Sequence, residues 1–250
     1  MTTRYHSIFE PGVEIIAPPE VGLHQGSLPD IVEYVRDRAE DAVSFDIGQV
    51  GQLPRESGAP HGQSFPYIPM WLECVGEEGN PICIFIFKDP EIDKHAAIVF
   101  HKGGRQWVIT SYFTSNFEPG ATCMINDIAA KNHTYTMIAS GALTIIMSFL
   151  AALACVNVVP VETPAPTKLN KKRAKRGKKP ILSHWTLVIK NRNGTVGPGG
   201  GGSHASPRLH LRRGHIREYK PGSYTWVQPC VVGTNKDGMV TKDYKLEAPV

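Results

Sequence analysis

Between Glu162 and Glu218 the chain has no acidic residue, yet that stretch holds 14 of its 27 lysines and arginines. Cysteine is sparse: Cys74, Cys83, Cys123, Cys155 and Cys230 are odd in number, widely spaced and form no C-x-x-C pair. That spacing argues against a disulfide framework or zinc knuckle and favours a reducing, intracellular setting. The start, MTTRYHSIFEPGVEII, lacks a charged segment followed by an apolar run, so no secretory signal is expected. There is no P-loop, nucleophile elbow, metalloprotease helix or paired-carboxylate pattern, and no internal repeat.

What is present is an uneven charge. Residues 1–162 carry 9 basic and 19 acidic side chains, and residues 218–250 carry 4 of each, so the formal net charge of +4 conceals a strongly basic middle. Such a block attracts phosphate polymers through screened Coulomb forces and counterion release. It points to RNA or DNA as partner, with a host protein as the other candidate and no small-molecule cofactor.

Hydrophobic patterning divides the chain into parts. Positions 27–40 read as a helix capped by Ser27 or Asp30. From Ile68 onward, IPMWLECV, PICIFIFK, AAIVFHK and QWVITSYF are short apolar runs separated by turn sequences, the pattern of a four-stranded meander. Residues 124–155 read as helix. Within them begins an uncharged run over 137–159 that is long enough to cross a bilayer. Its Ala, Ser, Thr and Gly content suits a core helix, and a membrane is not expected; Val156, Val158 and Val159 suggest an extended exit.

The expected fold class is therefore α+β: an N-terminal antiparallel sheet packed with helices over 1–159, then a small, mainly antiparallel β domain over 181–250. Between them, 160–180 reads as a basic linker, because Pro160, Pro164, Pro166 and Pro180 stop helices and its cations repel one another. Beyond it, ILSHWTLVIK, PRLHLRRGHIREY, YTWVQPCVVG and MVTKDYKL are strand-like.

Lys171, Lys172, Arg173, Lys175 and Arg176 in the linker, and Arg208, His210, Arg212, Arg213, His215 and Arg217 beyond it, are the candidate nucleic-acid contacts. If 208–217 is one extended strand, His210 and Arg212 share a face, and Gly214 permits a bulge that redirects His215 and Arg217. The same cluster supports a second chemistry, metal-independent RNA cleavage, with His210 and His215 as base and acid, Arg212 stabilising the phosphorane and Tyr219 assisting. A solvated basic strand is the plainer reading, and no catalytic residue is assigned. Convergence of His204, His210 and His215 with His184 or Asp243 on a metal is generic spacing, and none is expected. The glycine loop at 197–202 reads as a hairpin loop. Trp185 and Trp226 read as core, whereas Tyr219 and Tyr224 are candidates for stacking on bases. Glu73, His95, His101 and Asp127 read as satisfied edge residues.

The segments LNKKRAKRGKKP, SHASPRLHLRRGHIREY, WVQPCVVG and GMVTKDYKL resemble a group of uncharacterised tailed-phage and prophage proteins ending in an R-G-H-x-R, aromatic-W, V-x-G and K-D-Y series. The likeness covers about residues 150–246. It implies a protein made in the cytoplasm of an infected bacterium, acting as a nucleic-acid-binding accessory or as an inhibitor of host or defence machinery.

Overall fold

The computed structural model describes residues 5–18, 21, 28–39, 41–50, 53, 64–76, 78–89, 93–104, 106–117, 122–125, 130–190, 208–212, 214–228, 230–232 and 234–239. Four consecutive apolar runs build its centre. Strands β3 (Met70–Val75), β4 (Pro81–Asp89), β5 (Lys94–Gly103) and β6 (Gln106–Ser115) pair antiparallel in sequence order, as the meander pattern predicts. β4 reads as an unbroken apolar run, not an alternating one, because both its faces are covered. Ile82, Ile84 and Ile86 face one layer, and Cys83, Phe85 and Phe87 the other.

The sheet extends beyond the meander to eight strands, ordered β1-β6-β5-β4-β3-β2-β8-β7. β1 (Ile15–Ile16) lies parallel to β6, and β2 (Val43–Gln49) parallel to β3. β8 (His184–Ile189) joins β2 in parallel through Phe45 opposite Trp185, and β7 (Val158–Thr163) closes the edge antiparallel to β8. The fold is α+β with a mixed sheet. β2 has no counterpart in the sequence reading, although Val43, Phe45 and Ile47 alternate with polar neighbours.

Helices cover both faces. On one, α2 (His133–Leu153) packs against Phe45, Leu72, Ile84, Val99 and Phe113 through Ile146, Phe149 and Leu150. It is long and apolar enough to span a membrane, but most of its apolar surface is buried against this sheet. Asn132 caps it by accepting the Thr134 N–H, so this helix starts at His133, inside the 124–155 span expected to be helical. The other face holds α1 (Leu28–Ala39) and a 3-10 helix at Tyr5–Phe9, whose Tyr5 ring stacks on Trp71 at 4.7 Å.

The segment expected to be a linker holds the end of β7 and a third helix, α3 (Thr167–Ala174). Its prolines flank TKLNKKRA and do not interrupt it, and proline is tolerated at a helix start. β8, expected to open a separate β domain, lies in the large sheet. Pro160 has its own place on the edge. The Lys190 N–H donates to the Asn157 carbonyl at 2.8 Å, and counting on in twos points residues 158, 160 and 162 away from β8. The N–H that proline lacks is one that would have faced outward, which blunts the edge against further pairing.

Candidate functional site

α3 carries no acidic residue and buries no side chain, so its own burial cannot hold it in place. Three devices do. The Asn170 side-chain amide donates to the Ile181 carbonyl and accepts the Ile181 N–H, both at 2.8 Å. Arg173 Nε donates to the Lys179 carbonyl at 2.8 Å, and its Nη2 pairs with Glu10 Oε1 at 2.6 Å. At the C-terminal end Gly177, at φ 64°, donates to the Ala174 carbonyl while the Lys178 N–H reaches the Arg173 carbonyl, a Schellman closure.

Arg173 is thereby committed to structure. Lys178 also reaches Glu10, at 3.4 Å. Burial pushes the Glu10 carboxyl upward, but the Arg173 hydrogen bond and the charges of Lys178 and Arg173 outweigh it and hold the group below its usual range. Lys171, Lys172, Lys175 and Arg176 are exposed, with no hydrogen bond or ion pair from their side chains among the described residues. Lys168 belongs with them, and the sequence reading missed it. Its signal is the i, i+3, i+4, i+7 spacing of positions 168, 171, 172 and 175, visible once that stretch is taken as helix.

The second candidate cluster is divided. Instead of one strand over 208–217, β9 (Arg208–Arg212) pairs with β12 (Cys230–Val232) and β13 (Thr234–Met239), while β10 (His215–Lys220) pairs with β11 (Ser223–Val227). The change of ladder falls between Arg212, the last residue of β9, and His215, the first of β10. His210 and Arg212 belong to the three-stranded sheet, opposite Val232 and Cys230; His215, Arg217 and Tyr219 belong to the two-stranded one. Arg213, His204, Asp243, Asp127, the loop at 197–202 and all of MVTKDYKL except Met239 lie outside the described residues.

The β10–β11 hairpin has a fixed seat. Ile216 and Trp226 pair across it and bury against Ala151, Ala152, Cys155 and Val158. Asn157 clamps the Trp226 backbone through two 2.9 Å hydrogen bonds, and Val156 donates to the Tyr224 carbonyl at 3.0 Å. Strand alternation then puts His215 and Arg217 on the face opposite Ile216, with Arg217 exposed. Trp226 is core as expected, and Trp185 packs at the core's margin.

Polar groups in the sheet serve the fold. Glu73 is not an edge residue: only 1% exposed, it accepts the Tyr5 N–H at 2.8 Å and the Ser44 hydroxyl, pinning the N-terminal segment to the sheet. Burial holds the His101 imidazole below its usual range, and burial with the Lys88 charge does the same for His95. His95 lines an open cleft of about 470 Å³ with Asp93, Lys94, Ser115, Asn116, Thr122 and Met124. Among the described residues no group of three His, Cys, Asp or Glu is placed to hold a metal.

These features define an α+β protein with an eight-stranded mixed sheet, helices on both of its faces, and a cationic helix between its β7 and β8 strands. The chain belongs to the AcrVA2-like family, the anti-CRISPR type V subtype A2 family, whose model matches residues 77–234. That membership makes it a phage-type protein; the matched span includes α3 and β10 and leaves out the N-terminal layer. No curated protein and no solved structure matches the chain.

Proposed function

We propose that this protein is a phage-encoded antagonist of a type V CRISPR defence, acting inside the infected cell by binding. The observation that carries the reading is the family match over 77–234. CRISPR effectors delegate sequence recognition to a guide RNA and form a heteroduplex with their target, so such a defence presents a dense array of phosphates. A protein whose basic residues gather in one acid-free stretch suits that partner electrostatically. In this proposal Lys171, Lys172, Lys175 and Arg176 supply long-range attraction, and Arg217, with His215 beside it, a positioned contact. Arg208, His210, Arg212 and Arg213 are further candidate contacts by their charge alone. Ribonuclease chemistry by His210 and His215 gains no geometric support, since the two histidines stand on different sheets.

The test is phage interference in a bacterium carrying a type V CRISPR system and a matching spacer. Expressing the protein restores plaques in that host and changes nothing in one lacking the system. A variant with Lys171, Lys172, Lys175 and Arg176 changed to glutamate loses most of the restoration while keeping its circular dichroism. Wild-type protein that never restores plaques refutes the reading; a charge-reversed variant that still restores them removes the cationic surface from it.

A further inference from the structure

The orientation of α3 narrows the ligand class, on the reading that its cations meet nucleic acid. At about 100° per residue, Pro166, Asn170 and Arg173 share one face of the helix. That is the anchored face, tied to Ile181, Lys179 and Glu10. Lys168, Lys171, Lys172 and Lys175 fall within an arc of about 100° centred opposite it, along about 10 Å of helix axis. All are exposed, and none has a side-chain partner among the described residues. The helix is thus held by its back and presents an unpaired ammonium row.

We propose that this row is a backbone contact for a double-stranded nucleic acid, sensing phosphate charge and indifferent to base sequence. Three properties select that class. Lysine is a compact point charge, suited to phosphate and lacking the planar fork with which arginine reads guanine. Residues 167–176 contain no aromatic side chain, whereas single-strand binders combine cations with rings that stack on unpaired bases. The surface is also a convex helix, which meets the outside of a duplex better than it encloses a strand. Contacts made to phosphate oxygens alone do not read the ribose 2′-hydroxyl, so RNA and DNA duplexes bind alike.

The experiment uses the full chain with a labelled 20-base-pair duplex of arbitrary sequence, followed by fluorescence anisotropy as salt rises. Four phosphate contacts give a log–log slope of about −3.6 and weaken binding roughly a hundredfold between 50 and 200 mM salt. In K168A/K171A/K172A/K175A the slope becomes shallower by about 3 to 4, with an unchanged denaturation midpoint. A second duplex sequence and an RNA duplex bind within about twofold, and a single strand of equal length binds more weakly. The proposal is overturned by an unchanged slope, by tighter binding of the single strand, or by poly-glutamate competing as well as duplex at equal charge. A variant that loses the slope yet still restores plaques upholds the duplex contact and separates it from the antagonism. Wild-type protein that restores plaques but binds no duplex removes the contact and leaves the antagonism intact.

Discussion

Replacing Glu10 with glutamine tests whether α3 is held in place or simply present. The Glu10 and Arg173 side chains are 18% and 16% exposed and meet at 2.6 Å, so their pairing is neither a surface ion pair nor a fully buried one. Exposed pairs contribute below about 1 kcal/mol, and breaking a buried one costs about 3–5 kcal/mol. A charge-assisted hydrogen bond between those limits is worth about 1.5–3 kcal/mol. Lys178, half-exposed and at 3.4 Å, adds little. Urea denaturation of wild type, Glu10→Gln, Arg173→Gln and the double variant should give a coupling energy of about 1–2 kcal/mol. The pH dependence has a definite sign. The carboxyl is held below its ordinary 4.5 in the folded protein, so its contribution is complete above that value and disappears as pH falls through the folded pKa. The gap between wild type and Glu10→Gln therefore narrows in acid. A coupling below about 0.3 kcal/mol, or a gap that widens in acid, would refute the latch.

Trp226→Ala removes the anchor of the β10–β11 hairpin and should cost about 3–5 kcal/mol, with faster proteolysis at the hairpin as the local readout. Gly177→Ala places a Cβ in the left-handed region at φ 64°, with open space around it, so strain alone predicts a loss of about 1 kcal/mol by the same denaturation measurement. Burial, joined by the charges of Asp46 and Glu73, pushes the Cys74 thiol up to about 12; at pH 8 it should resist thiol labelling until the protein is unfolded.

The meander, α1 and the core position of α2 were legible because apolar periodicity and burial coincide there: Ile82 to Phe87 must be covered on both faces, and they are. β2 and β8 were harder. Phe45 pairs with Trp185 across 140 positions of chain, a parallel contact that no local pattern announces. The hairpin clamp was hidden for the same reason, since Asn157 looks like any loop asparagine until the Trp226 backbone is brought to it. α3 was misread as linker because charge repulsion and flanking prolines are local signals, while Asn170, Glu10 and Gly177 stabilise the helix through contacts distant in sequence or special in backbone.

Charge counted along a sequence is a poor measure of charge offered to a partner. Arg173 and Lys178 lie among the densest basic residues, yet both spend charge on Glu10, an acid from the opposite end of the chain. The Arg173 pairing is what orients the remainder: with Arg173 turned inward, the helix period leaves Lys168, Lys171, Lys172 and Lys175 outward together. A flexible linker with the same residues would attract a polyanion equally well at long range but would pay ordering entropy for each contact it made. In the folded helix the backbone part of that entropy has been lost during folding, so the gain on binding is larger for the same charge. The acidic N-terminal half thus has a direct part in the basic surface, because one of its carboxylates fixes the direction in which the lysines point.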